Sequence, residues 1–147
     1  MPEPTKSPAE VLGAVPMITG PILDRAANLL EQSGAWRKGH LCHGKDGYPC
    51  YGAVTGADFC ATAWSLVGSL QKAAWLQARD DENATGARLI SYHRLVPDLA
   101  RLVASAVGVS KPERIVDWED APGRTQAEVV AALREASRQA SRRGGEA

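Results

Sequence analysis

Apolar side chains recur at helical spacing in several stretches of this chain, and the intervals between them are rich in turn residues. Ile22, Ala26, Leu29 and Leu30 fall on one helical face. Pro21 suits the first turn, where its missing N–H has no intrahelical partner to lose, and Asp24 opposes the positive end of the dipole. Gly34 offers a left-handed stop, so the pattern predicts a helix over 21–33. From Trp36 to Gly56 the period disappears and glycine recurs at positions 39, 44, 47, 52 and 56. The Asp46-Gly47 step is a hairpin-turn signal. It predicts a short hairpin between Leu41-Cys42-His43 and Tyr48-Pro49-Cys50-Tyr51, with Pro49 on an edge.

Thr55 and Asp58 form a capping arrangement that opens a second predicted helix, running to Arg79. Phe59, Ala63, Leu66, Val67, Leu70 and Ala74 make its stripe, which Cys60, Trp64 and Trp75 broaden into a heavily buried face. After the polar Asp80-Asp81-Glu82-Asn83 loop, Leu89, His93 and Val96 begin a pattern that Pro97 interrupts. Pro97 and Asp98 open a new helix carrying Leu99, Leu102, Val103 and Ala106, closed by Gly108. Residues 111–117 fit either one helical turn or an extended piece. Thr125 and Glu128 then make a T-x-x-E capping box, and Val129, Ala132, Leu133 and Ala136 predict a last helix over 126–140.

These elements predict a mainly α protein. It is a compact four- to five-helix bundle with a small glycine-rich β-hairpin or loop between helices 1 and 2. Its core centres on Phe59, Trp64, Leu70, Leu99, Val103 and Leu133. Residues 1–18 read as a flexible arm, 19–142 as a single helical domain and 143–147 as a flexible tail.

Composition narrows the function classes. The 147 residues are 44% apolar, enough for one ordinary core. Lys+Arg and Asp+Glu are balanced at 17 each, so no global field favours nucleic acid or an anionic membrane. Pro2, Pro4, Pro8 and Pro16 interrupt the start of the chain where a secretory signal would be continuous, and no apolar run approaches the roughly 20 residues that cross a bilayer. Cys42, Cys50 and Cys60 are odd in number, which favours reduced thiols and a cytoplasmic location.

Four constellations carry candidate chemistry. His40, Cys42, His43, Cys50 and Cys60 are zinc-ligand types, but they lack paired C-x-x-C spacing, so buried thiols and turn histidines are the plainer account and no metal or cofactor is expected. Cys60, in the first turn of the predicted second helix, has the position of an activated thiol. His93 or His43 is its candidate base, oriented by Asp98 or Asp117. Trp118-Glu119-Asp120 with Arg124-Thr125 places carboxylates, a guanidinium and an aromatic at the mouth of a helix. There the plain account has Trp118 filling the core, Thr125 capping, and Arg124 pairing with Asp117 or Asp120. Arg134, Arg138, Arg142 and Arg143 make a basic strip beside Arg124, diluted by Glu128 and Glu135, so nucleic-acid binding is not expected.

The stretch Ile115 to Val129, with Trp118-Glu119-Asp120 and Arg124-Thr125-Gln126-Ala127-Glu128-Val129, resembles the W-N-D…R-T-x-x-E-V motif of an uncharacterised bacterial family found especially in actinobacteria and their phages. Phe59-Cys60-Ala61-Thr62-Ala63 is similar to that family's W-C-A-x-G-A-like helix start, and Ile22 to Trp36 to its opening helix. The sequence departs from the motif at Glu119, where Asn is usual. The resemblance implies a compact helical domain of bacterial or phage origin and carries no activity.

The first functional expectation is a small non-enzymatic binding or regulatory protein. Its protein or small-ligand contact surface combines the glycine-rich segment, including Tyr48 and Tyr51, with Trp118, Asp120 and Arg124. The alternative is a small hydrolase or acyl transferase using Cys60 with His93.

Overall fold

The first helix, α1, spans Val15–Glu31 and so begins before the predicted start. The computed structural model describes residues 15–44, 61–80 and 92–145, with side chains from 18 to 142 within those spans. Pro21 lies inside α1 rather than in its first turn. A proline there forfeits one helical hydrogen bond, and tertiary packing offsets the loss. Ile22, Leu23, Ala26, Ala27 and Leu30 are all fully buried. Gly20 meets the last helix closely: Ser137 Oγ donates to its carbonyl at 3.1 Å, and a Cβ there would stand 3.2 Å from Ser141 Oγ. Gly34, at φ 76°, ends the helical course in the left-handed region, as its position predicts.

The chain then crosses the core as short bridges. Strand β1 (Cys42–His43) pairs antiparallel with β2 (Ala63–Trp64), Cys42 opposite Trp64 and His43 opposite Ala63. Trp64 also forms a parallel bridge with Trp36, so its N–H donates to the Ala35 carbonyl at 2.7 Å while its carbonyl accepts from Arg37 at 3.0 Å. Cys42 and His43 are thus extended, as expected, but their described partner is 63–64. The predicted partner, 48–51, lies outside the described residues, as do Phe59 and the Thr55–Asp58 cap. Ala63 and Trp64 were expected on a helix. Both are buried, so the strand shows no polar alternation to separate it from a helical stripe.

Helix α2 spans Leu66–Asp80. Ser65 caps it: Oγ accepts from Gly68 N–H at 3.1 Å, and its carbonyl accepts from Ser69 at 2.8 Å. Leu66, Leu70, Ala73, Ala74 and Ala78 line the buried face. Trp75 is only half-buried, with Lys72 and Arg79 at 4.8 and 5.4 Å from its ring centre. Asp80 at the helix end pairs with Arg25 of α1 at 2.6 Å.

Residues 92–93 are helical, a turn follows, and α3 (Val96–Ala106) restarts with Pro97 near its beginning and Gly108 at φ 77° beyond its end. After the extended Lys111, residues 112–117 are helical: a 3-10 turn (Pro112–Arg114) runs directly into α4 (Ile115–Asp120). Helix α5 spans Gln126–Gly145. Its capping box is reciprocal, with Glu128 N–H donating to Thr125 Oγ1 at 3.2 Å and Thr125 N–H donating to Glu128 Oε1 at 3.1 Å. Val129, Ala132, Leu133, Ala136 and Ala140 bury its inner face against α1 first and α3 second. Gln126 Nε2 donates to the carbonyls of Leu30 and Gln32, which supplies donors for the C-terminal end of α1. The predicted core residues that are described, Trp64, Leu70, Leu99, Val103 and Leu133, are all buried. Among the described residues no helix is long and apolar enough to cross a membrane.

Candidate functional site

Helix α4 is six residues long, and its two inward positions are Ile115 and Glu119. They stand four apart and therefore share a face. Ile115 fills the core, and Glu119, only 2% exposed, reaches the start of α2. Its Oε2 accepts from the Leu66 N–H at 2.6 Å and from the Trp36 indole at 2.7 Å. One carboxylate oxygen thereby satisfies an orphan amide of a helix N-terminus and the polar handle of a half-buried tryptophan. It ties together three segments that are far apart in sequence. Burial pushes the Glu119 carboxyl above its ordinary range and neighbouring Asp120 adds to this, against the two hydrogen bonds and the Lys38 charge.

Glu119 also lines a cleft of about 390 Å³ with Gly39, His40, Leu41, Ser65 and Asp120, closed on the apolar side by Val67 and Val116. Two features hold the wall formed by the glycine-rich segment. Leu41 carbonyl accepts from Ser65 N–H at 3.3 Å, and it lies so near Gly68 that a Cβ there would come within 1.7 Å of its oxygen. Only glycine permits this approach of loop to helix. Val67 and Val116 also line an adjoining, mostly apolar cleft of about 500 Å³ with Val96, Pro97 and Ala100, and Arg101 and Glu113 add charge to its lining. Val116, 46% exposed, is the one exposed large hydrophobic residue among those described.

The expected site residues separate into groups. Asp120 is exposed and lines the cleft. Trp118 does not line it. The Arg124 guanidinium lies 4.0 Å from the Trp118 ring centre, Arg124 Nε donates to the Trp118 carbonyl at 2.9 Å, and its Nη1 pairs with Glu128 at 2.8 Å. Arg124 therefore locks α4 onto the start of α5 and is paired with Glu128, not with the expected Asp117 or Asp120. Tyr48 and Tyr51 lie outside the described residues.

Of the zinc-type residues, His40 is exposed while Cys42 and His43 are buried side by side on β1, and Cys50 lies outside the description. Among the described residues no three His, Cys, Asp or Glu side chains gather as a metal site. His43, 3% exposed, has a buried Nδ1 without a hydrogen-bond partner among the described residues. Burial, then the charges of Arg37 and His40, hold its pKa below the usual value. Cys60 lies outside the described residues, and the helix whose first turn it was expected to occupy starts at Leu66. His93 is exposed. The basic strip is largely spent on the protein itself. Arg134 bonds Asn28 at 2.7 Å, Glu31 at 3.3 Å and Asp24 at 3.5 Å on α1, and Arg138 and Arg142 both reach Glu135.

The role of Glu119 is not visible in the sequence because residues 111–117 fit either a helical turn or an extended piece and Trp118-Glu119-Asp120 reads as the mouth of the next helix. The spacing from Ile115 was the available signal. A model of a family described as "Family of unknown function (DUF6197)" matches residues 16–139. No curated protein and no solved structure gives a match.

Proposed function

Since the chain belongs to this family of unknown function across residues 16–139, we propose from the geometry that it is a non-enzymatic binding or regulatory protein. Its recognition site is the cleft between the glycine-rich segment and α4. The observation that supports this is the buried Glu119 carboxylate on the cleft wall, held by Trp36 and Leu66. A polar group fixed by rigid elements beside apolar walls is the usual composition of a ligand site. Val67 and Val116 extend the contact surface into the apolar trough beyond. The cysteine-dependent alternative has no geometry behind it among the described residues.

Capture of partners or small ligands from the native host tests this with Val116→Arg, an exposed substitution between the two clefts. The species retained by the unsubstituted protein is expected to be lost from the variant, with the melting midpoint unchanged. Identical capture by both proteins would contradict the assignment.

A further inference from the structure

Both donors to Glu119 fall on Oε2, and Oε1 has no donor among the described residues although the side chain lines the cleft. Asp120 places a second carboxylate on the rim, and it has no ion-pair partner among the described residues. Lys38, whose charge acts on Glu119, sits over the Trp36 ring at 5.5 Å from its centre. A metal ion would need a third ligand, and no such trio exists among the described residues. Beyond the carboxylates the wall turns apolar through Leu41, Val67 and Val116 into the adjoining trough.

Resting on the cleft as the recognition site, we propose that its ligand is an organic cation, an ammonium or guanidinium head carrying N–H donors on an aliphatic stem. The head donates to Glu119 Oε1 and faces Asp120, and the stem lies along Val67 and Val116. An anion would meet two carboxylates at close range. A purely apolar guest would desolvate Oε1 without giving it a donor.

Titration calorimetry with n-hexylammonium, hexan-1-ol and hexanoate as probes tests this. The ammonium is expected to bind at least about tenfold more tightly than the alcohol, the order a charged hydrogen bond supplies, and hexanoate not at all. Glu119→Gln keeps an oxygen for Trp36 and Leu66, and Asp120→Asn alters an exposed residue, so both variants should fold. Each should weaken the ammonium about tenfold and the alcohol markedly less. A capped lysine amide that binds more tightly than hexylammonium would assign the cation to a partner's side chain, and the reverse order to a free amine. Equal binding of ammonium and alcohol, or ammonium binding indifferent to both substitutions, overturns the proposal. If that happens while Val116→Arg still abolishes capture, the recognition site stands and only its ligand class falls; if capture is also unaffected, both fall.

Discussion

Glu119 and Gly68 show how much of this site depends on single atoms. Replacing Glu119 by Ala removes the acceptor for two N–H groups, and the Leu66 amide is buried. That should cost about 1–3 kcal/mol of unfolding free energy, the penalty for a buried donor left unpaired. Glu119→Gln retains an acceptor oxygen and should lose far less, so chemical denaturation of the pair separates the hydrogen bonds from the charge. Equal losses in the two variants would contradict the described geometry. Gly68→Ala places a methyl 1.7 Å from the Leu41 carbonyl oxygen, so either the loop or the helix start must move. The expected loss is about 1–3 kcal/mol, typical of overpacking, with weaker binding at the cleft. A variant as stable as the parent would show that loop and helix do not touch as described.

Among the elements, α3 and α5 were legible because capping and punctuation coincide with the apolar period. Pro97 and Gly108 bracket one, and the reciprocal Thr125–Glu128 box opens the other. Thr125→Ala should lower stability by about 1 kcal/mol, read as a shifted denaturation midpoint. An unchanged midpoint would remove Thr125 from the cap. The start of α2 was not legible. Ala63 and Trp64 are buried on β2, so burial at 63, 66, 70 and 74 imitates one continuous helix, although Ser65 interrupts it with a cap. The site was legible only in part. Asp120 and the glycine-rich wall were singled out, whereas the bonds from Glu119 to Trp36 and Leu66 join residues 83 and 53 positions apart. No local pattern reports such pairings.

At the scale of the whole molecule, two buried titratable groups act on opposite limbs of the pH profile. The His43 pKa is depressed in the folded chain, so its contribution is complete above the ordinary value of 6.5 and is lost as pH falls through the lowered one. The Glu119 pKa is raised, so its contribution is complete below the ordinary 4.5 and is lost as pH rises through the raised one. Denaturation midpoints measured from pH 4 to about 9 should therefore show Glu119→Gln gaining on the parent as pH rises, with the acid limb unchanged. A difference constant across that range would contradict a raised carboxyl. The most direct test of the three-segment junction is a proton–nitrogen NMR titration of the Trp36 indole and Leu66 amide signals. Both are predicted to shift with one common midpoint above the ordinary carboxylate range, and both shifts should vanish in Glu119→Gln. Separate midpoints, or signals that ignore that titration, would contradict a single buried carboxylate joining α4 to the loop and the start of α2.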